Sequence, residues 1–170
     1  MIYRFATAGP DLSCFDELLR RYLMEESKAG SPVRMTRRTL DFYRDLARGY
    51  LIGAESGVLV FAGEDSAVGP QPVGFALAGG SPFFPWIDTE YGKTATVWIA
   101  WMEPRFRQKG TALGMLAFGE PQLLEMGFEV AAMSVREENP SGQALSLAFG
   151  AKPIERFYHY TLGGTEHGRR

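Results

Sequence analysis

The nine residues from Thr94 to Met102 (TATVWIAWM) limit the fold more than any other stretch, because β-branched and aromatic residues stand on both faces of the strand they would form. Such a strand belongs at the centre of a sheet, with packing above and below it. Pro104 stops it. Beyond a basic turn the pattern becomes helical from Thr111 to Met126, with Leu113, Leu116, Ala117, Leu123 and Leu124 on one side and Gly127 as the C-terminal cap. Pro121 has no N–H for the Ala117 carbonyl, which predicts a kink near it.

The remaining chain arranges itself around that unit. Ile2 to Ala6 reads as a short strand, and after Gly9-Pro10 either Asp11 or Ser13 is placed to cap a helix running to about Glu26. Leu12, Phe15, Leu18, Leu19, Tyr22 and Leu23 form its apolar face. Thr36 or Thr39 opens a second helix, with Leu40, Tyr43, Leu46 and Ala47 as its buried positions. Val58–Ala62 and Val73–Ala78 make a hairpin with a long Gly/Asp/Pro-rich connection, followed by an aromatic loop from Gly79 to Gly92. A strand over Phe128–Val135, a helix over Ser141–Phe149 and a last strand over Ile154–Leu162 complete the order β-α-α-β-β-β-α-β-α-β. This predicts a single α/β or α+β domain over residues 1–162 and a loose tail over 163–170.

Composition narrows the function classes. The 170 residues are 45% apolar and 22% charged, so the chain can bury a core, and a net charge of −2 supplies no global field for nucleic acid or an anionic membrane. The N-terminus lacks a signal peptide's basic start and apolar stretch, and no membrane span is expected. Cys14, the single cysteine, excludes an intrachain disulfide framework; it sits on the apolar face of the first helix, where an inert thiol is expected, and a reducing cytoplasm is the simplest home. His159 lies in the last strand and His167 in the tail, so no metal site is predicted.

The junction Glu103-Pro104-Arg105-Phe106-Arg107-Gln108-Lys109-Gly110-Thr111-Ala112 carries the chemistry. A helix start leaves N–H groups without intrahelical partners at the positive end of the dipole, Gly110 lets an anion approach the backbone, and Arg107 and Lys109 add charge. An exposed basic turn with a glycine cap accounts for the same residues. Lys109 precedes Gly110, so this is not a Walker loop, and Gly110 with Gly114 misses the dinucleotide-binding spacing.

The turn resembles the pyrophosphate loop of the GNAT superfamily of acyl-CoA-dependent N-acyltransferases, whose Gln/Arg-x-x-Gly-x-Gly/Ala signature is matched by Arg107 to Ala112. The resemblance extends over nearly the whole chain. It places Pro104 before the signature, a helix and strand after it, and an Asn-initiated helix running from Asn139-Pro140 to Phe149-Gly150. It implies a mixed, mostly antiparallel sheet splayed between the fourth and fifth strands and flanked by about four helices. It also implies acetyl-CoA or another acyl-CoA as co-substrate. Backbone groups around Trp101 and Met102 would bond the pantetheine arm, and the N–H groups of Gln108, Lys109, Gly110, Thr111 and Ala112 the pyrophosphate, with Asn139 touching the arm and Arg107 and Ser146 counted among the cofactor-binding residues. Trp101 and Met102 serve equally as core, and Asn139 as a helix cap.

Three positions depart from that pattern, the mildest being Ala151, since the pair that usually closes the segment as Gly-Phe is here Gly150-Ala151. Ser146 stands where members of this type often carry a Tyr that protonates the departing thiolate, and Thr96 where some carry a Glu base. Replacement acid–base candidates are Tyr158 or Tyr160 on the last strand and Glu90 or Asp88 in the aromatic loop. The acceptor, a small-molecule or protein amine, would enter beside that loop, where Phe83, Phe84, Trp86 and Tyr91 form an aromatic wall or a homodimer contact. The expected activity is acyl transfer to a primary amine. A CoA-binding module without turnover and a purely structural protein are the competing readings.

Overall fold

A computed structural model of the chain describes residues 1–7, 9–29, 35–66, 69–80 and 92–153. Strands β1 (Ile2–Phe5), β2 (Gly57–Glu64), β3 (Gln71–Gly79), β4 (Thr94–Met102) and β5 (Val130–Met133) form one sheet in that order. Every pairing is antiparallel except β4–β5, which is parallel. Helices α1 (Pro10–Lys28) and α2 (Arg37–Leu51) cover one face, while α3 (Thr111–Glu125), which makes the crossover from β4 to β5, covers the other with α4 (Pro140–Ala148). A 3₁₀ turn spans Pro104–Phe106. The mixed, mostly antiparallel sheet with four α-helices among the described residues is the predicted architecture. The last strand and the tail lie outside the described residues.

Two cores sandwich the sheet. Phe61, Phe75 and Trp101 pack with Phe15, Leu19 and Leu23 of α1 on one side, and Val60, Ala76 and Met102 pack with Met115 and Leu116 of α3 on the other. β4 therefore buries both faces, as its residue types require. Small residues at Ala62, Ala76 and Ala78 let α3 sit close to the sheet.

Local boundaries differ from the periodicity reading where tertiary partners intervene. Thr36 caps α2 by accepting from the Thr39 N–H at 3.1 Å, but neither Asp11 nor Ser13 caps α1. Gly9 holds that position with Pro10 in the first turn, and the helix runs past Glu26 to Lys28. β5 is shorter than Phe128–Val135. α3 ends as expected at Gly127, whose N–H bonds the Leu124 carbonyl while the Phe128 N–H bonds Leu123, and it stays helical through Pro121. Cys14 is half-buried rather than buried, and desolvation raises its thiol pKa.

Asp11 is freed from capping for another task. Its carboxylate accepts both terminal nitrogens of Arg4 (2.8 and 2.6 Å), the Thr7 N–H (2.7 Å) and the Thr7 hydroxyl (3.0 Å), tying β1 to α1. The side chain is 10% exposed, and the Arg4 guanidinium, more than any other partner, lowers the carboxyl pKa to about 2 against burial's opposing push. A depressed folded-state pKa adds stability above the unfolded value, and that stability fades as pH falls from near 5 toward 2. Asp11→Asn is expected to cost about 2 kcal/mol at neutral pH and to flatten the acid limb of the stability curve. Urea unfolding midpoints measured between pH 2 and 7 check this.

Candidate functional site

The site starts from a single irregularity in β4. Leu77 faces Ile99 in the β3–β4 register, but Ala78 faces Val97, so Trp98 is an extra residue, a β-bulge. Trp98 and Ile99 consequently both turn toward the α1/α2 core, where the Trp98 indole donates to the Tyr50 hydroxyl (3.1 Å), which donates to the Gly80 carbonyl (3.0 Å). On its other side β4 pairs with β5 only as far as Val97 and Met133, immediately before the bulge. Beyond it, among the described residues, no strand pairs with that side of β4. The predicted splay between the fourth and fifth strands thus opens at Trp98.

Hydrogen-bond alternation decides which peptide groups face the gap. The Glu103 N–H bonds the Val73 carbonyl at 2.9 Å while Met102 lies opposite Gly74, so Trp101 exchanges its backbone bonds with Phe75. The peptide groups of Ala100 and Met102 point the opposite way, into the opening. Of the backbone groups around Trp101 and Met102, the strand's two-residue period turns those of Met102 and Ala100 toward the gap and those of Trp101 toward β3. The Trp101 side chain is core, 7% exposed, with its indole N–H on Glu25 Oε2 at 3.1 Å.

From the end of β4 the chain passes through the 3₁₀ turn to the start of α3. Gln108 (φ +59°) and Gly110 (φ +72°) are both left-handed, a kind of curl that can bring successive N–H groups together, and Gly110 occupies the cap position with no side chain bonding the first turn. Among the described residues, nothing other than its own chain neighbours lies within 4 Å of where a Cβ on Gly110 would stand. The backbone of Gln108, Lys109, Gly110, Thr111 and Ala112 therefore stands at an uncapped helix N-terminus, where N–H groups without intrahelical partners are able to receive an anion. Tyr3 fixes this start from below, its hydroxyl donating to the Thr111 carbonyl at 3.2 Å.

The side chains of the turn divide their work differently from expectation. Arg107 does not project its charge from the turn: its terminal nitrogens grip Glu25 of α1 at 2.5 and 2.6 Å, and its Nε donates to the Met102 carbonyl at 2.8 Å. Arg107 and the Trp101 indole together lower the Glu25 carboxyl pKa against its desolvation. Arg105 bonds Glu103 at 3.3 Å and lies 3.7 Å from Glu64. Lys109 has no carboxylate partner among the described residues and stands 5.9 Å from the Phe106 ring.

On α4, Asn139 is the N-cap, its side-chain oxygen accepting the Gly142 N–H at 2.9 Å. Ser146 is 9% exposed; its hydroxyl donates back to the Gly142 carbonyl (2.9 Å) and lies 2.9 Å from Met133 Sδ. Thr96 lies in the closed part of the sheet, between Gly79 and Ala132. Tyr158, Tyr160, Asp88 and Glu90, and the aromatic wall of Phe83, Phe84, Trp86 and Tyr91, lie outside the described residues.

No family model and no curated protein sequence matches the chain. Solved structures do. AAC(6')-Iy in complex with the bisubstrate analog CoA-S-monomethyl-acetylneamine superposes at a TM-score of 0.69, with 19% identity over 94% of this chain and 96% of that one. A predicted acetyltransferase with acetyl-CoA from Clostridium acetobutylicum gives 0.69, with 17% identity over 98% and 100%. The aminoglycoside antibiotic 6'-N-acetyltransferase AAC(6')-IG from Acinetobacter haemolyticus gives 0.66, with 18% identity over 95% and 97%. At these identities the likeness concerns the fold, and the fold is that of the GNAT acetyltransferases.

Proposed function

We propose that this protein transfers an acetyl or other short acyl group from an acyl-CoA to a primary amine. One observation carries the reading: the uncapped helix start at Gln108–Ala112 follows the end of β4, where the Ala100 peptide group and the Met102 N–H face a gap with no strand partner among the described residues, which suits a diphosphate joined to an extended amide-bearing arm. The similarity of the fold to a structure holding a CoA bisubstrate analog supports it.

In the reaction the neutral amine nitrogen attacks the thioester carbonyl, the C–S bond breaks, CoA leaves as thiolate, and the new amide sheds the proton carried in by the amine. This chain's part is positioning and polarisation. The Met102 N–H would extend to the thioester oxygen as it gains charge, and the helix start holds the co-substrate's other end. Ser146, bonded back into its own helix, takes no role as acid. Tyr158 and Glu90 are the proposed acid–base groups; single-turnover rates in Tyr158→Phe and Glu90→Gln that match the wild type remove both.

A small-molecule amine is the proposed acceptor, on the strength of neighbours named as aminoglycoside acetyltransferases, one of them in complex with sisomicin. The second reading, a CoA-binding module without turnover, is favoured by Thr96 and Ser146 standing where acid–base groups are often found. Calorimetry with acetyl-CoA, followed by thiol release over a panel of amines, separates the two. Binding with amine-dependent release supports transfer, and binding with release no faster than hydrolysis supports the module. Absence of binding overturns both.

A further inference from the structure

Glu25 and Glu26 are adjacent on the last turns of α1, and each is tied to a different lip of the gap in the sheet. Glu25 holds the β4 lip: it accepts two bonds from Arg107, whose Nε is on the Met102 carbonyl, and one from the Trp101 indole. Glu26 holds the β5 lip through Arg136 at 3.1 Å. Arg136 is itself anchored, since its carbonyl accepts the Asn139 N–H at 3.0 Å and the Gln143 amide at 3.3 Å at the start of α4. No described strand pairing joins these lips, so α1 spans them from above.

We propose that Glu25 and Glu26 act as a clasp that sets the width of the gap, making them positioning residues for the pantetheine arm rather than groups that touch it. The inference rests on the acyl-CoA reading given above. An arm lying as an extra strand needs its flanking backbones at ladder spacing, and an opening without pairing has no hydrogen bonds of its own to keep that spacing. The two glutamates supply the constraint from outside. Their side chains, with those of Arg107 and Arg136, are 18–41% exposed, and ion pairs so exposed add little to global stability. Their placement therefore reads as geometric rather than as a contribution to folding.

The test is acetyl-CoA binding by calorimetry, well below the unfolding midpoints, for wild type, Glu25→Gln, Glu26→Gln, the double variant and Asp16→Asn. Asp16 pairs with Arg44 between α1 and α2 at similar exposure but away from the gap, so it reports the effect of losing an ion pair of α1 alone. Each single variant is expected to bind about threefold more weakly and the double variant about tenfold, with Asp16→Asn unchanged. Wild-type binding retained within twofold in the double variant overturns the clasp and leaves the acyl-CoA reading standing. Equal weakening in Asp16→Asn also overturns it, by showing a general effect of loosening α1. No binding by the wild type overturns the acyl-CoA reading, and the clasp with it.

Discussion

A Gly110→Val variant is expected to bind acetyl-CoA about a hundredfold more weakly than the wild type, with its unfolding midpoint lowered by only a few degrees. Two effects combine. At φ +72° a β-branched residue is strained by roughly 1–2 kcal/mol, and relieving that strain reorients the cap and the following N–H groups. The added methyls also stand in front of the helix start, where the diphosphate would lie. Because no described residue beyond the chain neighbours lies within 4 Å of the added Cβ, the substitution meets no clash there, which separates loss of binding from loss of fold. Calorimetric titration beside a thermal melt measures both, and an unchanged affinity would place the anion elsewhere.

The second large effect is structural. Gly74 lies opposite Met102, and a Cβ there would come within 2.2 Å of Met102 Sδ and 2.7 Å of the Trp101 carbonyl oxygen. The sulfur can swing aside, but the carbonyl belongs to the ladder and cannot. Gly74→Ala should force β3 and β4 apart at the end that faces the gap and cost about 3 kcal/mol, near the upper end for an overpacked core site. For a domain of this size that lowers the melting midpoint by about 10 °C. Binding should weaken as well, because Met102 moves. A melt within 2 °C of the wild type would mean that the strands are not held at this separation.

These two glycines mark what was legible in the sequence and what was not. Gly110 could be read locally: a strand stop, a basic turn, a glycine and a helix lie within a few positions, and the chemistry of a helix start follows from chain geometry alone. The central strand was equally plain from its two apolar faces. Arg107 could not be read this way, because its partner Glu25 is 82 residues distant and nothing in the turn signals it. Asp11 is the same case at shorter range: a good cap by residue type was taken by Arg4 and Thr7, so a tertiary ion pair won over a local preference. The bulge at Trp98 leaves no trace in residue types, since an extra apolar residue between two buried faces looks like any other, yet it determines that Ala100 rather than Trp101 faces the opening. The acid–base candidates were weak in the sequence for a further reason. Residue chemistry alone points to them, with no spacing that links them to the turn.

The bulge has one more consequence. A sheet normally carries its unpaired ladder groups at the rim, where charge or a covering loop can guard them, but here the interior strand β4 has, among the described residues, no strand beside it beyond Trp98 on the β5 side, with the Met102 carbonyl taken by Arg107. Any extended chain that reached it would find a ready template. A small molecule zipped into that slot would then do two jobs at once, presenting its reactive end and shielding the protein from self-association through its own middle.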